Sequence, residues 1–169
     1  RLDPDGVRGG RLKTDLTAER LRDALSYNLD TGQFVWRLKT NKRIRVGAAA
    51  GSEFRGRIQI KLDGVTYRAH RLAWLWVHGE WPKLEIDHIN GDPSDNRIAN
   101  LRDVPPVINR QNQRRAQRRN HLGVLGVGRF RGGYRARIDH RHLGTFETIE
   151  AAQAAYVKAK RETHQGCTL

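Results

Sequence analysis

Cysteine and methionine are nearly absent from this chain of 169 residues, which has one cysteine, Cys167, and no methionine. A single thiol excludes an intrachain disulfide framework and a zinc site built on paired cysteines. No run approaches the eighteen apolar residues of a membrane span, and no signal region opens the chain. We therefore expect a cytoplasmic protein without membrane partners, and the lack of methionine predicts a longer translated product.

Acidic residues are also scarce, with 18 against 32 basic ones, so the formal net charge is +14. Of the basic residues, 25 are arginines, whose planar guanidinium groups bind phosphate and guanine through paired hydrogen bonds. The apolar residues make up 37% of the chain, and together with 17 glycines they suffice for a folded core. The composition predicts a folded protein whose partner is a nucleic acid.

The charge is unevenly distributed along the chain. Residues 102–141 hold eleven arginines against two aspartates, a net charge of +9. Residues 80–95 hold five acidic residues against one lysine, a net charge of −4. An acidic patch inside a basic chain suits a divalent cation next to a DNA backbone, although an acidic surface loop would give the same count.

The residue pattern predicts an α+β fold in four regions. Residues 1–14 have glycine, proline and charge without apolar periodicity, which predicts a disordered lead-in. Residues 15–65 predict a helix over 18–27 capped by Thr17, a strand over 33–38, no clear element over 39–55, and the first strand of a hairpin. The hairpin pairs 57–62 with 65–69 through an Asp-Gly turn.

The other two regions are 66–119 and 120–169. The first predicts a buried helix over 71–78, strands over 84–87 and 101–104, and a helix that opens at Pro105 and runs to Arg119. Its tryptophans, with His70 and His78, are expected to pack or cap rather than bind. The second predicts strands over 127–131, 134–139 and 143–146 and a covering helix over 148–163.

One segment combines residue types that suit phosphodiester hydrolysis. It reads IDHINGDPSDNRIANLR from Ile86, followed by VINRQN. Asn100 lies twelve residues after His88, and Asn109 lies nine after Asn100. A histidine is able to accept a proton from water near pH 7, and aspartate and asparagine offer hard oxygen ligands for a cation. Adjacent strand residues face opposite ways, so the chain must leave strand geometry at about His88 if Asp87 and His88 serve one phosphate.

This segment resembles the HNH endonucleases of the His-metal (ββα-metal) superfamily, particularly small phage and intron-associated proteins of the homing type. The resemblance covers about residues 66–115 and implies a metal-dependent DNA endonuclease. It implies that His88 is the general base, that Asn100 ties the loop and orients His88, and that Asp87 and Asn109 hold one divalent cation. The cation would be Mg²⁺, with Mn²⁺ possible. Here the third motif residue is an asparagine, and Asn112 on the same helix face is the alternative ligand.

Residues 122–164 resemble the AP2 DNA-binding domain, which is also found attached to phage HNH nucleases. The matching residues are Gly126-Val127, the run YRARI from Tyr134, LGTF from Leu143, and an alanine-rich helix with Tyr156. In that fold a three-stranded sheet lies in the major groove of double-stranded DNA. Strand alternation places Tyr134, Ala136 and Ile138 on one face and Arg135 and Arg137 on the other.

Two groups of arginines are therefore the candidate DNA contacts. The basic tract contributes Arg110, Arg114, Arg115 and Arg118, and the sheet module contributes Arg129, Arg131, Arg135, Arg137 and Arg141. A DNA-binding regulator that keeps a nuclease fold without catalysis is the alternative function, and an RNA-binding protein is a weaker one because no RNA-recognition motif with exposed aromatics is present. The oligomeric state and the target sequence are open.

Overall fold

A computed structural model describes residues 15–168, so the predicted lead-in at 1–14 lies outside the described residues. The chain divides into two compact units, the first ending at Asp103 and the second beginning at Val104. Both mix helices with small sheets, as an α+β chain should. Among the described residues, no helix has the length and apolar character to span a membrane.

In its described residues, the first unit has two α-helices, a short 3-10 helix (Ile98–Asn100) and three small sheets around one core. Its elements are α1 (Ala18–Ala24), β1 (Leu25–Tyr27), β2 (Phe34–Trp36), β3 (Ser52–Phe54), β4 (Arg57–Leu62), β5 (Val65–Arg68), α2 (Ala69–His78), β6 (Glu85–His88) and β7 (Leu101–Val104). Strand β1 pairs with β2, β4 lies between β3 and β5, and β6 pairs with β7. Helix α2 packs against α1, β4 and β5.

Local sequence explains most of these elements. The Thr17 hydroxyl accepts a hydrogen bond from the Arg20 amide at 3.2 Å, which is the predicted cap of α1. Helix α1 ends at Ala24 rather than at 27, because Leu25 and Tyr27 alternate with Ser26 and pair with β2 as buried strand residues. Strand β3 falls in the stretch where no clear element was predicted, and its residues are all exposed.

The predicted hairpin and the predicted tryptophan-rich helix are both confirmed. Strands β4 and β5 pair from Gln59 opposite Arg68 to Leu62 opposite Val65. Helix α2 follows at once and ends at Gly79, whose φ of 79° is the left-handed conformation that commonly closes a helix. Three of the tryptophans, Trp74, Trp76 and Trp81, pack against the core as expected.

The second unit is a three-stranded antiparallel sheet covered by one long helix, with a short helix before it. The elements are α3 (Pro106–Gln111), β8 (Val127–Phe130), β9 (Gly133–Ile138), β10 (Arg141–Phe146) and α4 (Ile149–Thr163). Strand β9 is central. Its Ala136 and Ile138 are buried with Tyr156 of α4, as strand alternation predicts.

The predicted helix from Pro105 to Arg119 is wrong in its length, because α3 ends at Gln111. A helix that continued past Gln111 would place like charges four residues apart, where they repel each other. The pairs are Arg114 with Arg118 and Arg115 with Arg119. The Gln113 carbonyl instead accepts a hydrogen bond from the buried ammonium of Lys160. Helix α3 clusters with the second unit, whereas the sequence grouped it with the segment that holds His88.

Candidate functional site

Asp87 and His88 end strand β6 and are both buried, with exposed fractions of 4% and 5%. The chain turns immediately afterwards, because the Gly91 amide donates to the His88 carbonyl at 2.8 Å. The expected departure from strand geometry at His88 is therefore confirmed. Two adjacent polar side chains are thus held in a protected position by a strand end and a tight turn.

The Asp87 carboxylate is bound by an arginine of the neighbouring strand. Its Oδ2 accepts hydrogen bonds from Nε of Arg102 at 2.8 Å and from Nη2 at 2.7 Å. Arg102 lies on β7 and is about a quarter exposed, with 26% of its side chain accessible. A charge-assisted pair of this kind is stronger than a neutral hydrogen bond, and it offsets the cost of burying the carboxylate.

Asn96 and His70 contact the imidazole of His88, and the sequence singled out neither for this role. Asn96 places its Oδ1 3.4 Å from Nε2 of His88. The His70 ring on α2 meets the His88 ring edge-on, with centroids 5.1 Å apart and an angle of 83°. An amide oxygen only accepts, so this hydrogen bond requires Nε2 to carry the proton and leaves the lone pair on Nδ1. The contact with Asn96 therefore favours the tautomer that is protonated on Nε2.

Burial sets the protonation of both histidines. Desolvation lowers the pKa of His88, opposed by its hydrogen bond to Asn96 and assisted by the charge of Arg57. Desolvation also lowers the pKa of His70 well below its ordinary value, and the charges of His88 and Arg57 add to this effect. Both rings are neutral at pH 7. A neutral imidazole is the form that accepts a proton from water.

Asn100 organises the loop between β6 and β7. Its Oδ1 accepts from the Asn90 amide at 2.9 Å, and its Nδ2 donates to Oδ1 of Asn90 and to the Asp95 carbonyl. Asp95 is bound in turn by the Arg97 guanidinium, which lowers the pKa of that carboxyl to about 2. These contacts of Asn100 are with the loop, whereas Asn96 is a polar neighbour of the His88 ring.

The hairpin of β1 and β2 supports this loop from the other side. The Tyr27 hydroxyl donates to the Asn96 carbonyl at 2.6 Å. Gly32, at the hairpin turn, has a φ of 70°, and a Cβ there would lie 2.4 Å from the Arg97 amide nitrogen. Only glycine allows this close approach of the two backbones. Short-range sequence patterns do not reveal Asn96, because asparagine is equally common in ordinary turns.

The other two candidate metal ligands lie in the second unit. Asn109 is half-buried on α3. Asn112 follows the helix, is 4% exposed, and accepts a hydrogen bond on Oδ1 from the Thr168 hydroxyl at 2.5 Å. Among the residues from 15 to 168, no group of three or more His, Cys, Asp or Glu side chains is arranged to hold a metal ion.

The candidate DNA-binding arginines of the sheet lie on two faces. The register pairs Arg137 with His142 and Phe130 with Gly133, on the face away from α4. Arg135 lies on that face too, with its guanidinium 4.8 Å from the Phe130 ring centroid. These side chains line a shallow concavity of about 270 Å³, whose lining residues are Phe130, Arg135, Arg137, His140 and His142.

The remaining arginines are placed differently. Arg129 pairs with Tyr134 and Arg141 with Ile138, so both belong to the face that α4 covers, although both are exposed. Arg131 occupies the β8–β9 turn with a φ of 42°. Arg110 lies on α3, and the tract after it holds Arg114, Arg115 and Arg118; all four are exposed. Arg114 also donates to the Thr168 carbonyl.

Comparison with known proteins identifies a family that the segment forming this site resembles. Residues 67–113 match the family model of HNH endonucleases, which is less than a third of the chain. No curated protein and no solved structure matches the chain. The segment that carries Asp87, His88 and Asn100 is therefore similar to an HNH endonuclease domain, which supports nuclease activity on DNA.

Proposed function

We propose that this chain is a metal-dependent DNA endonuclease in which His88 is the general base. One observation carries the proposal: within the segment that matches the HNH endonucleases, a neutral buried imidazole with a defined tautomer adjoins a buried carboxylate. Titratable groups whose pKa is shifted by burial cluster at functional sites.

The reaction follows from the placement of His88. Nδ1 takes a proton from a water molecule as the water oxygen attacks the phosphorus of the phosphodiester. The bond between phosphorus and the 3′ oxygen breaks, which leaves a 5′-phosphate, and the 3′ oxygen takes a proton from solvent. Before the transfer, the contact of Asn96 Oδ1 with Nε2 favours the tautomer whose lone pair is on Nδ1, and Nε2 remains a donor to Asn96 in the imidazolium that forms.

The donor chemistry at Asp87 fits a divalent cation such as Mg²⁺, with Mn²⁺ as the alternative. Mg²⁺ is commonly held by one or two protein oxygens together with water and substrate phosphates, so a three-residue cluster is not required. A bound cation supplies Lewis-acid stabilisation of the leaving 3′ oxygen. The second protein ligand remains a prediction, Asn109 with Asn112 as the alternative.

We also propose that the second unit is an AP2-like module that holds double-stranded DNA. Its support is the outward face of the sheet, where Arg135 and Arg137 flank Phe130 beside two histidines. Guanidinium groups on such a face suit phosphate or guanine. A homing-type enzyme of phage origin, acting on DNA in a bacterial cytoplasm, is the setting that the resemblance suggests.

A non-catalytic DNA-binding regulator is the second candidate, and the Asp87–Arg102 pair favours it. A cation must compete with Arg102 for the Asp87 carboxylate. If Arg102 always wins that competition, the domain keeps the fold and binds DNA without cleaving it.

Plasmid cleavage separates the two candidates. Supercoiled DNA is incubated with the wild type and with His88→Ala, with Mg²⁺ or with EDTA. His78→Ala is the matched control, because His78 lies on α2 and packs on Trp74 with ring centroids 4.1 Å apart. We expect nicking or linearisation only with Mg²⁺, lost in His88→Ala and kept in the control. Equal amounts of intact plasmid in every lane would show that the chain is not a nuclease.

The binding face is tested by two double variants with the same loss of charge. Arg135→Ala with Arg137→Ala removes two charges from the outward face, and Arg129→Ala with Arg141→Ala removes two from the other face. The first pair should weaken DNA binding more at every salt concentration, because only its positions lie together in the concavity. Equal affinities for the two double variants would exclude this face as the main contact.

A further inference from the structure

Two histidines lie in the basic concavity on the outward face of the second unit's sheet. His142 is on β10 and stands directly opposite Arg137 of β9, and His140 is in the turn that joins these two strands. Both side chains line the concavity with Phe130, Arg135 and Arg137, and both are exposed. The two imidazoles are therefore open to a ligand from solution and lie close to guanidinium groups.

The surroundings of the two imidazoles are cationic. In the described part of the chain, the residues that line the concavity include two arginines and no carboxylate. Arg131, in the turn between β8 and β9, adds a third guanidinium beside the concavity, with its central carbon 5.3 Å from the Phe130 ring centroid. Like charges directly opposite each other on a sheet are unfavourable. A protonated imidazole is therefore costly here until an anion lies between the cations.

Two acidic residues follow β9 and β10 in the chain, and neither lines the concavity. Asp139 is in the same turn as His140, but its Oδ2 lies 3.0 Å from Nε2 of His164, the residue that follows α4. Glu147 comes after the end of β10, five residues from His142, which is roughly 16 Å along an extended strand. The cations of the concavity are thus available to an anion from outside the protein.

We propose that His140 and His142 bind backbone phosphates of DNA in this concavity, beside its two arginines, and take up protons as they do so. The inference rests on the proposed DNA-binding function of the second unit and adds both histidines to its contacts. A histidine gains its charge between about pH 5 and 8, and a phosphate between an imidazole and a guanidinium stabilises the charged imidazole. DNA on this face should therefore be bound more tightly as the pH falls.

The test measures the affinity of the full chain for a short DNA duplex at about pH 8 and at about pH 6, with EDTA present to prevent cleavage. We expect the wild type to bind about three- to tenfold more tightly at the lower pH, which is the contribution of two exposed ion pairs. The plot of log affinity against log salt concentration should steepen by about one to two units, since each neutralised phosphate contributes about 0.9.

The double variant His140→Gln with His142→Gln should lose both changes. His121→Gln is the matched control, because His121 is an exposed histidine of the second unit that does not line the concavity. This control should show the same dependence on pH and salt as the wild type.

A permanently charged side chain gives a second readout. His140→Lys with His142→Lys should bind DNA at about pH 8 as tightly as the wild type does at about pH 6, because lysine keeps its charge at both. Calorimetry of DNA binding in buffers with different ionisation enthalpies counts the protons that are taken up. The wild type should take up about one proton more than the glutamine variant.

Failure of the inference and failure of the proposed function give different results. If Arg135→Ala with Arg137→Ala binds DNA as tightly as the wild type at about pH 8, the sheet face is not the DNA contact and the proposed function of the second unit is wrong. If that arginine variant is weakened while the glutamine variant keeps the wild-type pH dependence and proton uptake, the role of the histidines alone is overturned.

Discussion

Replacing Arg102 by methionine tests whether the Asp87 carboxylate is the point where arginine and cation compete. Methionine keeps an unbranched side chain and removes both hydrogen bonds to Oδ2 of Asp87. In the absence of a cation, the buried carboxylate then loses its charged partner on β7. We expect Arg102→Met to be destabilised without metal and to recover part of that loss when Mg²⁺ is added.

The expected loss in the free energy of unfolding follows from how deeply the Asp87–Arg102 pair is buried. Breaking a fully buried ion pair costs about 3 to 5 kcal/mol. Arg102 is 26% exposed, against 5% for Asp87, so water partly replaces the lost partner and the expected cost falls to about 2 to 3 kcal/mol. Mg²⁺ at ten times its dissociation constant restores about 1.4 kcal/mol of this. The wild type should gain less from Mg²⁺, because the cation must first displace Arg102.

Tryptophan fluorescence measures the effect in the first unit alone, because Trp36, Trp74, Trp76 and Trp81 all precede Val104. Urea unfolding is followed with Mg²⁺ and with EDTA. Arg97→Met is the control, since it removes an exposed arginine that binds Asp95 with similar geometry, and exposed pairs contribute little to stability.

Adding Asp87→Asn to Arg102→Met removes the unbalanced charge and should abolish the response to Mg²⁺. The reasoning fails if Arg102→Met lowers the free energy of unfolding by less than about 0.5 kcal/mol, which is the usual range for a surface substitution that breaks no specific interaction. It also fails if Mg²⁺ stabilises Arg102→Met no more than the wild type.

Two further predictions concern pH and packing. Burial depresses the pKa of His70 and His88 in the folded state, so the unfolded chain takes up protons at a higher pH than the folded one. The first unit should therefore keep its stability above about pH 6.5 and lose it as the pH falls further. The variant His70→Phe should weaken that loss, as measured by urea unfolding across this range. In the second unit, Gly126 has a φ of 73° and a Cβ there would lie 2.0 Å from Cδ2 of Tyr156. Gly126→Ala should therefore lower the free energy of unfolding by about 2 kcal/mol or more. Gly128→Ala is the control and should lower it less, because a Cβ there meets open space. Amide exchange in β8 to β10 measures both variants, and equal protection in the two would contradict the packing argument.

The elements that the sequence predicts well are those defined by local signals. The hairpin of β4 and β5 follows from alternation and an Asp-Gly turn, α2 from an apolar run closed by Gly79, and the sheet of the second unit from three alternating strands. The strands that it missed, β1 and β3, are three residues long. Such short strands form because partners elsewhere in the chain supply their hydrogen bonds, and no pattern within three residues encodes a distant partner.

The sequence by itself predicted the chemistry that is proposed for this protein. Its arginines imply a polyanion partner, and the spacing of Asp87, His88 and Asn100 resembles a nuclease motif, because residue type and short-range spacing are local properties. The tertiary structure decided what surrounds that motif. It brought Asn96 and His70 to the imidazole and Arg102 to the carboxylate, and it placed the sheet arginines on two faces. These contacts join residues that lie 8 to 18 positions apart in the chain, or on paired strands. Only the packing of β4, α2 and the supporting hairpin determines them, since burial and proximity depend on how distant segments meet.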